Sequence, residues 1–311
     1  MRIESYNNIS TPEFTGLNLR LNKGKNKFFR INDLSNKYID RFIQIMADSS
    51  EKKHINSITL DVLPRLDWVD LPVKEGGTPF KSWYIKSLFP SKAHCIFFHG
   101  GTSTVSNYQN LYKSLSNRNI NILAVEYPGY GENKHLEASY GALSDVAQSS
   151  YKYLTENLKV NPNDIAIMGY CLGGQVATNL ASVVNCRSLL LVSPISKFSQ
   201  ISEGYIKSKN IGETFVNKFH KWFVETRLFK SLLANKLSSY KYIDGVSCPV
   251  YVLSSEKDPV THIKWMDKIV KSFLDRDKRL IYFRGFEDGH KLTDSKIDIL
   301  SRVMSVDIFK P

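Results

Sequence analysis

The stretch that decides the fold is residues 165–174, which read IAIMGYCLGG. Its first four residues are apolar and favour a buried strand, and the residues after Gly174 are apolar at helical spacing. A strand that runs directly into a helix needs a tight turn, where side chains at Gly169 and Gly173 would collide with neighbouring turns. Cys171 lies between these glycines, in a strained conformation beside a helix N-terminus that favours a thiolate. The pattern therefore predicts an exposed, reactive cysteine.

The alternative interpretation is a buried cysteine in a glycine-rich turn, because free cysteine often serves as a small core side chain. The remaining motifs bear on this choice. Residues 94–98 read as a strand that ends in His99-Gly100-Gly101-Thr102. The backbone N–H of Gly101 is expected to face Cys171 and, with the N–H of Leu172, to form an oxyanion hole. His99 itself is expected to be structural, because it precedes the tight turn.

A second loop follows the apolar strand at residues 120–124. It reads EYPGYG over residues 126–131, and its glycines suit a tight exit from a strand. Glu126 has two interpretations, a contact with the nucleophile or a structural carboxylate, and we favour the second.

Two later strands end in residues that complete the pattern. The strand that begins at Pro249 leads into an acidic turn, where Asp258 is the best candidate for a catalytic acid and Glu256 is the alternative. The strand at residues 279–283 leads into a loop that carries His290, before a final helix. We predict that His290 is the catalytic histidine.

The order along the chain is nucleophile, acid and histidine, namely Cys171, Asp258 and His290, which is the order of the α/β-hydrolases. The chain resembles this superfamily over about residues 57–311. The elbow resembles that of dienelactone hydrolases, which use Cys-Asp-His, and is similar to the Gly-x-Cys-x-Gly-Gly box of polyhydroxyalkanoate synthases. The His-Gly-Gly and Tyr-Pro-Gly-Tyr-Gly loops resemble membrane-associated serine hydrolases related to acyl-protein thioesterases. The chain fits no single one of these families.

The alternation of strands and helices predicts an α/β-hydrolase fold with a mostly parallel sheet and helices on both faces. We expect an N-terminal extension at residues 1–55 and a hydrolase domain at residues 56–311, with a helical cap inserted at about 195–245. The extension has helical periodicity at 36–47, and either packs on the core or carries a targeting signal. The apolar face of the cap either packs on the core, or part of it lines an acyl pocket or touches a membrane. Further strands are expected at 57–63 and 79–88, and helices at 107–117, 140–158, 262–274 and 294–306.

Composition limits the classes of function. The chain has 311 residues and a formal net charge of +12, so transient contact with an anionic membrane surface is one expectation. No nucleic-acid module is visible, and no nucleic-acid partner is expected. The four cysteines form no CxxC, there is no HExxH, and we predict neither a metal nor another cofactor. The absence of a long apolar run and of a secretory signal favours the cytoplasm, although export without a recognisable signal stays open.

These residues predict an esterase or thioesterase that forms an acyl-cysteine on Cys171, with His290 as base and Asp258 as its partner. The substrate would be a small molecule or an acylated molecule. One alternative is an acyltransferase with the same triad, because thioesters pass acyl groups readily to amines, alcohols and thiols. Another is a non-catalytic binding module, against which the complete triad argues.

Overall fold

The computed structural model describes residues 2–6, 39–51, 65–73, 77–195, 242–275 and 279–310. The strands are β1 (Arg2–Tyr6), β2 (Leu66–Leu71), β3 (Phe80–Ile85), β4 (His94–Phe98), β5 (Asn121–Val125), β6 (Ile165–Tyr170), β7 (Ser188–Val192), β8 (Val250–Ser255) and β9 (Leu280–Phe286). The helices are α1 (39–51), α2 (Gln109–Ser116), α3 (Tyr140–Lys152), α4 (Leu172–Ala181), α5 (Ile263–Leu274) and α6 (Asp294–Arg302).

Within the described residues, the nine strands form one sheet in the order β1-β9-β8-β7-β6-β4-β5-β3-β2. The six strands β4 to β9 pair with one another in parallel. Strands β3 and β2 at one edge and β1 at the other edge are antiparallel to their neighbours. Every residue of β4, β6 and β7 is buried. Such continuous buried runs are typical of parallel strands that are covered on both faces.

Two apolar cores cover the two faces of the sheet. One contains side chains of α1, α3, α4 and α5, and the other contains side chains of α2 and α6. Successive residues of β4 alternate between them: Ile96 and Phe98 belong to the first core, and Cys95 and Phe97 to the second. The predicted α/β-hydrolase fold, with a mostly parallel sheet and helices on both faces, is confirmed.

Most predicted elements agree with the structure to within a few residues. β4 has the predicted bounds, whereas α3 ends at Lys152 and continues as a π-helical turn over Tyr153–Asn157. Strand β2 was not predicted. It is a short edge strand that pairs with β3, and its exposed Trp68, next to the half-buried Val69, weakens the alternation of a half-buried strand.

Helix α1 lies upstream of the expected start of the hydrolase domain, yet it belongs to the first core. Ile39, Ile43 and Met46 are almost completely buried there. Asp40 Oδ1 also accepts a hydrogen bond of 2.9 Å from the backbone N–H of Tyr140, at the start of α3. The extension was expected either to pack on the core or to carry a targeting signal. Helix α1 packs on the core.

Two predictions concern residues outside the described part. The strand at 57–63 falls there, as does the expected cap except for its first and last few residues. Among the helices described, none combines the length and apolarity that crossing a membrane requires.

Candidate active site

The elbow between β6 and α4 holds Cys171 in an unusual backbone conformation, with φ of 54° and ψ of −114°. A residue with a side chain rarely adopts positive φ, and such strain is typical of functional positions. Hydrogen bonds keep it in place: its N–H donates to the carbonyl of Val192 at 3.0 Å, and its carbonyl accepts from Gly174 at 3.0 Å and Ile195 at 3.2 Å. The thiol is partly exposed, as predicted for a reactive cysteine.

The glycines around Cys171 are required by close packing of backbone on backbone. A Cβ on Gly169 would collide with the carbonyl of Gly173, and a Cβ on Gly173 would collide with the carbonyl of Phe98. Strand β6, the start of α4 and the end of β4 therefore approach more closely than side chains allow. The steric reason inferred from the sequence is the one that the structure shows.

Asp258 follows the end of β8 and is almost completely buried. Its Oδ2 lies 2.8 Å from Nδ1 of His290 and accepts a hydrogen bond of 2.7 Å from the hydroxyl of Thr261. Its Oδ1 accepts the backbone N–H groups of Val260 and Thr261, each at 2.8 Å. Burial alone would raise the pKa of Asp258, but the bonds from His290 and Thr261 hold it well below its usual value. Asp258 is thus a fully bonded carboxylate.

His290 connects this carboxylate to the elbow, because its side chain also interacts with Cys171. Burial lowers the pKa of His290, but the charge of Cys171 and the bonds to Asp258 and Cys171 raise it above the usual value for histidine. Since Nδ1 faces Asp258, Nε2 is the nitrogen left for Cys171. The structure therefore brings together the three residues that the sequence selected from distant parts of the chain.

Gly101 and Leu172, the residues predicted to supply the two oxyanion donors, lie next to each other. Leu172 is the first residue of α4, so its N–H has no acceptor within the helix. Its Cδ2 atom would lie 3.2 Å from a Cβ placed on Gly101. The carbonyl of Gly100 accepts hydrogen bonds from the N–H and hydroxyl of Ser103, at 3.3 and 3.0 Å. In a trans peptide the N–H points away from the carbonyl, so this contact directs the N–H of Gly101 away from Ser103.

His99 and Glu126 form a buried pair behind the oxyanion loop. His99 Nε2 lies 2.9 Å from Glu126 Oε1, and His99 Nδ1 lies 2.9 Å from the carbonyl oxygen of Gly100. Glu126 Oε2 accepts the N–H of Val105 at 3.3 Å. Both residues therefore have the structural positions that were expected. Glu256, the alternative acid, is half exposed and lies 3.7 Å from Arg284.

Sequence reasoning missed the residues that hold the loop of His290. Lys296 is fully buried, and its ammonium donates to the carbonyls of Gly289 and Lys291, on either side of His290. A helical wheel would have flagged it, because Lys296 and the buried Leu300 are four residues apart on one face of α6. Within the described part of the chain, no group of three or more His, Cys, Asp or Glu side chains is placed to hold a metal ion.

Comparison with known proteins adds a family match. A family model described as "Serine aminopeptidase, S33" matches residues 90–244. This range contains Gly101 and Cys171 and ends before Asp258 and His290. The description names a serine enzyme, whereas the elbow of this chain carries cysteine.

Two curated relatives match part of the chain. The lysophosphatidylserine lipase ABHD12 of Danio rerio is 28% identical over 208 residues, which are 62% of this chain and 51% of the relative. The protein YfhR of Salmonella typhi is 26% identical over 208 residues, 61% of this chain and 63% of the relative. The chain therefore spans less than two thirds of the length of either relative.

Solved structures share the fold at low sequence identity. An esterase of Pyrococcus furiosus has a TM-score of 0.64 and 16% identity, and the match covers 82% of this chain and 96% of the esterase. An α/β-hydrolase of Vibrio vulnificus has a TM-score of 0.62 and 18% identity, covering 96% of this chain and 99% of the other. The strand order, the elbow and these matches together show that the chain has the α/β-hydrolase fold.

Proposed function

We propose that the protein hydrolyses carboxylic esters or acyl-thioesters through an acyl-cysteine on Cys171. The observation that carries the proposal is the connected set of side chains at the elbow. Cys171 interacts with the side chain of His290, and His290 bonds to the buried Asp258 at 2.8 Å. The names of a lipase and an esterase among the similar proteins support the same class of reaction.

In the first step, His290 takes the proton of Cys171 and the thiolate attacks the carbonyl carbon of the substrate. Asp258 orients the imidazole and stabilises the imidazolium that forms. The N–H groups of Gly101 and Leu172 bind the oxyanion, and losing one such donor typically costs about 3 kcal/mol of transition-state stabilisation. The imidazolium then protonates the departing alkoxide or thiolate, and the acyl group stays on the sulfur.

In the second step, water replaces the leaving group. His290 removes a proton from this water, which attacks the acyl-cysteine through a second oxyanion in the same hole. Collapse of this intermediate releases the carboxylic acid, and His290 returns the proton to Cys171 or leaves the pair charged. The raised pKa of His290 favours the protonated imidazole, which is the proton donor for the leaving group.

The proposed partner is therefore a small-molecule or acylated substrate, and the mechanism requires no cofactor. A reduced Cys171 is needed throughout, which favours a reducing compartment such as the cytoplasm. The net charge of +12 favours transient contact with an anionic membrane surface, from which an acylated substrate could be taken.

The test is hydrolysis of a panel of nitrophenyl esters and acyl-coenzyme A thioesters of increasing chain length, with the intact mass recorded after each reaction. We expect the wild type to turn over, and Cys171→Ala to lose about a thousandfold or more in kcat. Cys186→Ala is the matched control, because it removes a thiol outside the site.

The outcomes separate the alternatives. A Cys171→Ala variant as active as the wild type would contradict the proposed nucleophile. A stable acyl adduct on Cys171 without turnover would point instead to an acyltransferase that lacks its acceptor. If the wild type shows neither turnover nor adduct, the binding-module alternative replaces the proposal.

A further inference from the structure

The loop that carries His290 is held by a buried lysine. Lys296, in the first turn of α6, has a side chain with no exposed surface. Its ammonium donates to the carbonyl of Gly289 at 2.6 Å and of Lys291 at 2.8 Å, and lies 3.5 Å from Asp288 Oδ1. The three donors of the ammonium thus meet three oxygens. Burial lowers the pKa of Lys296, as expected for a cation removed from water.

The carbonyl of His290, between those of Gly289 and Lys291 along the chain, also accepts a hydrogen bond. The hydroxyl of Tyr170, the residue before the nucleophile, donates to the carbonyl of His290 at 2.8 Å. The rings of Tyr170 and His290 lie 5.3 Å apart between centroids. The N–H of Gly289 donates to Ser255 Oγ at 3.1 Å. Side chains from β6, β8 and α6 therefore fix the backbone on both sides of His290.

A buried ammonium is costly, and an apolar side chain would fill the same space without that cost. The carbonyls that it binds lie in a loop outside the regular hydrogen bonding of the sheet, between the end of β9 and the start of α6. His290 has to reach Asp258 and Cys171 at the same time, and a displacement of about 1 Å in such a group can cost about a hundredfold in rate. The ammonium is therefore placed where a small shift would matter most.

We propose that Lys296 is a positioning residue, which binds the carbonyls of Gly289 and Lys291 and so holds His290 between Asp258 and Cys171. Lys296 does not touch the reacting atoms in this account and acts through the loop. The inference rests on the proposed function, because it concerns His290 as the base for Cys171.

The test compares Lys296→Met, which keeps an unbranched side chain of nearly the same length and loses the donors, with Lys291→Met. Lys291 is exposed and next to His290, so the control removes a positive charge from the same loop without removing a buried contact. The first readout is the rate at which iodoacetamide alkylates Cys171, followed on the peptide that contains it, with His290→Ala as the lower limit. The second is kcat and KM with the best ester.

We expect Lys296→Met to lower the alkylation rate of Cys171 and kcat by about 10- to 100-fold, with KM changed by less than about twofold. Lys291→Met should stay within about twofold of the wild type. If Lys296→Met does not fold, as judged by circular dichroism, Tyr170→Phe tests the same hold on the loop, because it removes only the hydroxyl that binds the carbonyl of His290. Tyr170→Phe should lower the alkylation rate of Cys171 and kcat by a smaller factor than is expected for Lys296→Met.

The inference is overturned if Cys171 is alkylated at the wild-type rate in the folded Lys296→Met variant, or in Tyr170→Phe where Lys296→Met does not fold. It is also overturned if Lys291→Met lowers the alkylation rate as much as Lys296→Met does. A third result would overturn it: alkylation of Cys171 in His290→Ala as fast as in the wild type, since His290 then does not act on Cys171. If the wild type hydrolyses no ester but Lys296→Met still slows alkylation, the proposed function fails and the positioning role stands.

Discussion

At the scale of single residues, charge is the property that organises the site. His290 interacts with both Asp258 and Cys171, and the pKa of Asp258 lies below its usual value while that of His290 lies above. Each shift makes its own prediction. The pKa of His290 depends in part on the thiol of Cys171, and the pKa of the Asp258 carboxylate affects how stability varies with pH.

The first prediction concerns His290. Cys171→Ala removes a neighbouring charge and a hydrogen bond that both raise the pKa of His290, so this pKa should fall. The measurement is a pH titration of histidine side chains by nuclear magnetic resonance, with His290 assigned through His290→Gln. Cys186→Ala, which alters a thiol outside the site, should leave the titration unchanged. An unchanged curve in Cys171→Ala would show that the thiol does not act on His290.

The second prediction concerns the pH dependence of stability. Because the folded pKa of Asp258 is lowered, its ionised contacts stabilise the fold above about pH 4 and are lost as the pH falls through the folded value. Asp258→Asn should therefore lower the free energy of unfolding by about 2 kcal/mol at pH 6, and the difference should shrink below pH 4. Urea denaturation across this range measures it. Glu256→Gln, at an exposed position, should show no such trend, and a constant difference for Asp258→Asn would count against the assignment.

At the scale of elements, helix α1 touches the oxyanion loop. A Cβ on Gly101 would lie 2.5 Å from Sδ of the buried Met46 and 3.2 Å from Cδ2 of Leu172. Gly101 is not among the glycines with positive φ, so space rather than backbone conformation is what excludes a side chain. A helix from the predicted extension thus sets the shape of the loop that is expected to bind the oxyanion.

The third prediction follows from this contact. Gly101→Ala should lower kcat by about tenfold, because the new methyl group pushes the loop away from Met46 and misaligns an oxyanion donor. The double variant Gly101→Ala/Met46→Ala should recover part of that loss, since the space is restored. Kinetics of the two single variants and the double variant form a cycle. Strictly additive effects would mean that Met46 does not constrain Gly101.

At the scale of the whole molecule, one sheet with a core on each face joins segments from both ends of the chain. Strand β1 pairs with β9 in a register that sets Arg2 beside Arg284 and Tyr6 beside Leu280. Helix α1 contributes Ile39, Ile43 and Met46 to the same core as α3 to α5. The proposed boundary near residue 55 therefore separates segments of sequence that share one core.

The fourth prediction is that the extension cannot be removed without loss of stability. Deletion of residues 1–51 takes away α1 and uncovers apolar surface, where each buried aliphatic side chain contributes about 1.5–3 kcal/mol. We expect a lower melting temperature and strong binding of an apolar dye. Deletion of residues 1–38, which keeps α1, is the matched control and should be less harmful. Equal stability of the two deletions would show that α1 contributes little.

The sequence by itself determined the local parts of this protein. The elbow could be predicted because Gly169, Cys171 and Gly173 act within a few residues of one another, and the buried strands could be predicted because apolar runs report local burial. Asp258 and His290 could be selected because each follows a strand, and the ends of parallel strands meet at one edge of the sheet. Their order along the chain then indicated the superfamily.

The tertiary structure decided what depends on contacts between distant segments. The bond from the hydroxyl of Tyr170 to the loop of His290 and the contact of Met46 with Gly101 join residues that are far apart in sequence. Lys296 bonds to carbonyls only five and seven residues away, but its burial depends on how α6 packs in the folded chain. A lysine in a helix is usually exposed, so composition favours the wrong environment for Lys296. The periodicity of the extension left open whether its helix packs on the core. Only the packing of the folded chain brings donors and acceptors together, because hydrogen bonds of this kind depend on distance and direction, which a linear pattern does not contain.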